Sequence, residues 1–418
     1  MRVRLGWYSK MTPVERRTYW ACFGGFALDS LDTTIYALVL PVLITVVGLE
    51  KSEAGLLATA ALIGAAVGGW GAGILADRFG RVRILKLTIL WVAFFTALTA
   101  FCSTFPQFLA VRFLQGLGYG GEAAVGAVLI SEVIRPELRG RVTASIQSGY
   151  AVGYAMSTAL MPIVFALFPE NLGWRVMFLI GVVPAFLVLF IRRLVPEGDV
   201  FVQAQRAKAA GGKSSAFWHI FLREHLRTTL PATIMATGIF GGAYVIITWL
   251  PTYLRTTLGL PVASTAGYLA LNILGSLTGP FIAGMLADGI GRRATFITLL
   301  LAQAVTVSCY LFLPLTSTAT LLLGFVVGAL QGGLAAAMLP TFAELFPTDI
   351  RASGTGFCLN GGRGFGSVMP ATVGVLAATL PLNHAMGMCA LSAYAVALVS
   401  ALFLPEKGGT DFRRGVAG

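Results

Sequence analysis

Charge is what this sequence most lacks. Only 11% of its 418 side chains are Asp, Glu, Lys or Arg, where soluble domains carry about 25%, so a water-soluble enzyme is close to excluded. Histidine is nearly absent as well. His219, His225 and His384 are the only three, and none lies in an apolar stretch beside a second ligand type, which leaves a metal centre or haem without support. Cys22, Cys102, Cys309, Cys358 and Cys389 stand singly in or beside apolar segments, with no CxxC pair, and read as packing residues. Long polar stretches are missing apart from one at 195–224. That is linker-sized, so a membrane receptor with a soluble signalling domain does not fit. No nucleophile, base and orienting group converge, so no enzyme and no cofactor are expected.

What is abundant is apolar. Hydrophobic residues make up 56% of the chain and mean hydropathy is +0.81. The 50 glycines and 18 prolines are scattered through the apolar runs, as is common in membrane helices. A membrane helix needs about 20 apolar residues, and twelve segments qualify. They run 19–47, 55–76, 84–103, 107–134, 141–168, 174–194, 228–253, 262–287, 293–314, 319–345, 352–380 and 384–404. The first is no cleaved signal, because Asp29 and Asp32 sit in its middle. The fold class is therefore all-α membrane protein, with a six-helix bundle over 1–194, a linker over 195–227 and a second six-helix bundle over 228–418.

The net charge of +12 is a matter of topology. Apart from Lys51, Arg112, Arg175, Arg255 and Arg363, every Lys and Arg falls in the termini, the central loop or the loops on that same side. The positive-inside rule then places both termini in the cytoplasm of a multi-pass inner-membrane protein. The basic excess is no nucleic-acid patch. Expected partners are a small substrate and the lipid bilayer, with the chain acting as a monomer.

The two halves repeat each other. Gly73-Ile-Leu-Ala-Asp77-Arg78-Phe-Gly80-Arg81 recurs as Gly284-Met-Leu-Ala-Asp288-Gly289-Ile-Gly291-Arg292, offset by 211. Glu132 with Arg139 recurs as Glu344 with Arg351, and Gly120-Gly121 as Gly332-Gly333. Such self-similarity implies two related bundles.

The loop GILADRFGRVR, with its second copy in the equivalent loop, resembles the most diagnostic signature of the major facilitator superfamily. Asp29-Ser-Leu-Asp32, RFLQGLGYGGE from Arg112 to Glu122 and SEVIRPELRGR from Ser131 to Arg141 resemble the branch of proton-coupled symporters for aromatic acids, lactate or sialic acid. IQSGYAVGY (Ile146 to Tyr154) and GWRVMF (Gly173 to Phe178) are most like the lactate and sialate members. The end, LPEKGG from Leu404 to Gly409, resembles instead the closing signature of sugar porters. Drug-exporting antiporters carry a Gly-Pro signature in helix five, and here no proline follows Gly149 until Pro162.

Charges in hydrocarbon are costly, about 2.5 kcal/mol or more each, and therefore mark function. Five lie inside the spans: Asp29, Asp32, Arg112, Glu122 and Arg363. At about 1.5 Å of rise per residue, Asp32 and Glu122 lie about 22 Å from the periplasmic ends of their segments and Arg363 about 16 Å from the cytoplasmic start of its own, all near the midplane. The same count sets Arg112 about 15 Å from Asp32 in height, more than the two side chains span without helix tilt or a change of state, which speaks against a direct pair in at least one conformation. Asp29 and Asp32 share a helix face. Two close acids in low dielectric do not both ionise cheaply, so one is expected to carry the coupling proton, unless Asp29 only solvates a vestibule. Glu122 is either a second proton site or a fixed partner. The resemblance links Arg112 to proton coupling.

Arg363, flanked by glycines, offers a permanently charged fork for a carboxylate; the alternative is a structural pair with an acid of the same cavity, Asp32 being the candidate. Asn360, Tyr150, Gln147 and Tyr36 are substrate-lining candidates, beside Gln115, Tyr154, Tyr244, Trp249 and Asn272 as polar or aromatic residues in the spans. The resemblance assigns Asp77, Arg78, Arg81, Glu132 and Arg139, mirrored by Asp288, Arg292, Glu344 and Arg351, to a gating charge set. The expected function is import of a small organic anion by proton symport with alternating access. A sugar or polyol symporter is the first alternative and a drug or cation antiporter the second.

Overall fold

The computed structural model describes residues 6–193, 220–347 and 350–405, apart from some side chains within the helices, those of Asp77, Glu132 and Arg139 among them. Most of the expected 195–227 linker lies outside these residues. Cα proximity divides the chain into two compact units, 1–49 with 56–213 and 50–55 with 214–418. Almost everything described is helix.

In the first unit the helices are α1 (Pro13–Val42), α2 (Lys51–Phe79, its first turn counted with the second unit), α3 (Arg81–Thr99), α4 (Phe105–Val133), α5 (Pro136–Leu167) and α6 (Glu170–Arg193). α1 starts where a capping box forms: Thr12 Oγ1 accepts from the Glu15 amide at 3.2 Å, and Glu15 Oε2 accepts from the Thr12 amide at 2.7 Å. α4 starts likewise, with Gln107 Oε1 taking the amides of Ser103 and Thr104. α1 packs along α5 and α6, and α3 against α4 and α6.

The second unit holds α7 (Arg223–Thr252), α8 (Val262–Ile290), α9 (Arg292–Phe312), α10 (Ser317–Leu345), α11 (Arg351–Gly366), α12 (Met369–Leu376) and α13 (Leu382–Leu402). α8 lies on α10, and α7 on α11 and α13. The segment expected as one span over 352–380 is thus two helices. The break has a local cause: Pro370 has no N–H for the carbonyl of Gly366 and its ring crowds that carbonyl. With α11 and α12 forming one interrupted span, the twelve segments of the sequence are all present. Nine helices among the described residues are long and apolar enough to cross a membrane.

The repeat reappears in the backbone. The glycines with positive φ among the described residues are Gly48 (78°) with Gly259 (65°), and Gly80 (103°) with Gly291 (86°). Each pair is separated by the sequence offset of 211. Gly48 and Gly259 follow single π-helical turns, Leu43–Val47 and Tyr253–Thr257, that end α1 and α7. Gly80 and Gly291 start α3 and α9.

Glycine also decides how closely helices approach. A Cβ on Gly64, Gly68, Gly116 or Gly120 would run into the main chain of the partner helix across the α2–α4 seam, and Gly275, Gly279, Gly328 and Gly332 repeat the arrangement between α8 and α10. Burial of small residues at such seams is what holds helices together where lipid removes the hydrophobic drive. Large apolar side chains point the other way: Trp70 is 62% and Ile74 72% exposed, and their repeat counterparts Phe281 and Met285 are 75% and 77%. Exposure on that scale suits lipid as the solvent.

The α2–α4 seam carries a prediction. In Gly120→Ala the new methyl meets the Ala65 carbonyl, a main-chain atom that cannot swing aside, so overpacking should destabilise by about 1–3 kcal/mol. A lower melting temperature of purified protein in detergent is the expected reading. Gly71→Ala, whose methyl meets nothing, should melt no lower than the parent.

Candidate functional site

The polar centre of the first unit is assembled by three helices. α1 supplies Asp32 and, one turn on, Tyr36; α4 supplies Arg112 and, one turn on, Gln115; α3 supplies Thr96. Spacings of three and four put each pair on one helix face. All are buried: Asp32 is 2% exposed, Arg112 1% and Gln115 0%.

Gln115 sits between the two charges. Its Nε2 donates to Asp32 Oδ2 at 2.6 Å and to Thr96 Oγ1 at 2.8 Å, while its Oε1 accepts from Arg112 Nη1 at 2.7 Å. Thr96 passes its own proton to the Val92 carbonyl at 2.8 Å. The Arg112 guanidinium lies 4.3 Å from the centre of the Tyr36 ring, within cation–π range. Asp32 Oδ1 and Arg112 Nε are buried without a hydrogen-bond partner. Asp32 and Arg112 thus belong to one cluster, and the 15 Å separation expected from residue counts is corrected. That count took the helices as parallel with their ends at one level, and left out both tilt and the reach of side chains through Gln115.

A cavity of about 20 Å³ opens beside Asp32, lined by Asp29, Asp32, Thr88, Thr96 and Glu122 together with small and apolar residues of α1, α3 and α6. It has room for one water. Thr88 Oγ1 donates to Glu122 Oε2 at 3.3 Å. The three acids singled out in the sequence therefore face one space. Such a constellation can accept, hold and pass a proton.

In the second unit Arg363 lies on α11, half-buried, with its guanidinium 5.1 Å from the centre of the Phe240 ring on α7. Phe240 stacks on Tyr244 with ring centres 6.0 Å apart and 22° between planes. Among the described residues no carboxylate comes within ion-pair distance of Arg363. Asn360, one turn before it, is exposed.

Other candidates find different places. Gln147 is exposed and Tyr150 half-buried on α5. Tyr36 is covered by Arg112 and buried, so its ring serves that cation. Tyr154 is buried. Asn272 Nδ2 donates to the Gly324 carbonyl at 3.0 Å, tying α8 to α10, and Trp249 Nε1 donates to the Pro370 carbonyl at 3.1 Å, tying α7 to α12. Both are helix ties.

Of the charge set, Arg292 grips Glu344 with two bonds, Nη2 to Oε1 at 2.8 Å and Nε to Oε2 at 3.2 Å. Arg351 Nε donates to the Phe346 carbonyl at 3.4 Å. Asp288 is exposed, Arg81 half-buried, and Arg78 lies 5.4 Å from the Phe79 ring centre. The side chains of Asp77, Glu132 and Arg139 lie outside the described residues. An ion pair the sequence did not suggest joins Glu15 to Arg135, with Nε to Oε1 at 3.0 Å. Arg135 also donates to the Lys10 carbonyl. Gln115 was legible only as a polar residue in a span. The available signal was its position one turn after Arg112.

Comparison with known proteins agrees with this architecture. The sequence profile described as Major Facilitator Superfamily matches residues 22–280 and 268–414. A probable 4-methylmuconolactone transporter of Cupriavidus pinatubonensis is 40% identical over 405 residues, covering 96% of this chain and 93% of that one. A cis,cis-muconate transport protein of Acinetobacter baylyi is 29% identical over 392 residues, with 92% and 93% covered. Among solved structures, the xylose transporter of E. coli in an inward-open conformation superposes with a TM-score of 0.74 at 20% identity, over 94% of this chain and 96% of that one. The last is a likeness of fold alone.

Proposed function

Because the chain belongs to the major facilitator superfamily, and is a multi-pass membrane transporter rather than an enzyme, we propose that it imports a small organic acid together with a proton by alternating access. The observation that carries the acid is Arg363. A half-exposed guanidinium without a carboxylate partner among the described residues is suited to take one from a substrate, and the Phe240–Tyr244 stack beneath it suits a flat, unsaturated or ring-bearing acid. Relatives named for muconate and methylmuconolactone transport support that class. A sugar would have no need of the cation.

Asp32 is the proton carrier in this reading. Protonation from the outside makes it neutral, the carboxylate docks at Arg363, and release inside lets the acid site discharge. Asp29 and Glu122 share the cavity and relay the proton. Asn360, one turn before Arg363 in the second unit, and Gln147 and Tyr150 on α5 of the first are the further substrate-binding residues of this reading. The Arg292–Glu344 pair, with Asp77, Arg78, Arg81, Glu132, Arg139, Asp288 and Arg351, acts as the gating set at the ends of the helices. The termini are cytoplasmic and the monomer is the working unit.

The test is uptake into proteoliposomes under an imposed pH gradient, with internal pH recorded. Muconate, hydroxybenzoate and nicotinate should accumulate and acidify the interior, more strongly than lactate or sialate. Accumulation of xylose with no response to any acid would overturn the proposal.

A further inference from the structure

We infer that Gln115 is a positioning residue for proton coupling: standing between Asp32 and Arg112, it keeps the two charges from closing into an ion pair, so that Asp32 can take up and give back a proton. The inference rests on the reading of Asp32 as the proton carrier.

The orientation of the amide is dictated by its neighbours. Arg112 can only donate, so Oε1 must face it and Nε2 must face Asp32. Both Nε2 hydrogens are then used, one on Asp32 Oδ2 and one on Thr96 Oγ1, and the Thr96 hydroxyl is committed in turn to Val92. Rotating the amide by half a turn would set a donor against a donor at Arg112. The side chain is wedged by its own hydrogen bonds, and no water has to be invoked.

What the wedge prevents is a direct contact. A carboxylate touching a guanidinium in a buried site is favoured in its charged form, and the attraction falls inversely with separation. One amide's length weakens it and leaves Asp32 Oδ1 without any hydrogen-bond partner, an oxygen available to receive a proton. Among the described residues the charged and titratable groups around Asp32 are few. α1 contributes Asp29 and Tyr36, α4 contributes Arg112 and Glu122, and α5 presents Tyr150 and Tyr154 along its contact with α1. α3 and α6 add only Thr88, Thr96 and residues that do not titrate to the lining. Among the described residues Arg112 is thus the one cation of the cluster, and its distance from Asp32 is the quantity Gln115 controls.

Two substitutions pull in opposite directions. Gln115→Ala opens the gap and lets Arg112 close on Asp32, so half-maximal uptake should move to lower pH by about one unit or more. Gln115→Glu puts a second acid against Asp32, so the pair should hold its proton more tightly and the midpoint should move to higher pH by a similar amount. Substrate counterflow at fixed pH, together with a monodisperse elution profile, reports that each variant is folded. Opposite displacements of the midpoint support the inference. Loss of rate in both variants with an unmoved midpoint means Gln115 is packing only and overturns it. The parallel measurement on Asp32→Asn separates the two levels. If that variant keeps the parent's pH profile, the proton-carrier reading itself has failed; if it loses the profile while the Gln115 variants leave theirs unmoved, only the Gln115 inference has.

Discussion

Arg363→Ala is expected to weaken substrate binding by about 100-fold or more while leaving the protein folded. Each hydrogen bond to a charged group is worth about 1.5–3 kcal/mol, a two-pronged grip involves two of them, and about 1.4 kcal/mol is a tenfold change in affinity. The structure favours a clean result. Arg363 carries no carboxylate partner among the described residues, so its removal strands no buried acid, and the Phe240 ring it covers remains packed on Tyr244. Arg363→Lys keeps the charge and loses the planar fork, and should fall in between. Titration calorimetry on detergent-solubilised protein checks both. Unchanged affinity in Arg363→Ala would remove the residue from the substrate site and take the organic-acid reading with it.

Asp32→Asn should abolish accumulation against a gradient while exchange of internal for external substrate continues. Asparagine stands in for the protonated carboxyl: it is neutral, of the same shape, and can still face Gln115. The loaded form therefore crosses, but no proton is discharged at the end of the cycle, and one unit of pH gradient, about 1.36 kcal/mol per proton, no longer drives uptake. For one proton per substrate the parent should concentrate substrate about tenfold per pH unit, and the variant should reach only the outside concentration. Radiolabelled uptake compared with counterflow gives both numbers. Normal concentration by Asp32→Asn would mean that the coupling proton rides elsewhere, with Glu122 the next group to remove.

Much of this was legible in the chain because the information is local. Apolar length marks the spans, and an offset of 211 or 212 between matching short motifs announces two related bundles. The buried acids were visible as charges in apolar runs. What needs three dimensions is the partner of each side chain. Counting residues from helix ends set Arg112 far from Asp32, whereas both hold the same glutamine. Asn272 and Trp249 looked suited to a ligand, yet each hydrogen-bonds a neighbouring helix's carbonyl, since one polar group on an apolar helix can serve either end and periodicity does not say which. Pro370 stood in the open, but Pro162 and Pro280 sit inside unbroken helices, so a proline in a span does not by itself announce a break.

The seams in which main chain touches main chain constrain how this transporter changes shape. Between α2 and α4, and again between α8 and α10, there is no layer of side chains to act as a lubricant, and sliding by a fraction of a turn would drive a Cα into a carbonyl. Each pair is in effect a single splint. Whatever rearrangement accompanies a transport cycle has to be taken up at other joints, and the π-type turns at the ends of α1 and α7 and the break between α11 and α12 are where the helical rods are already interrupted.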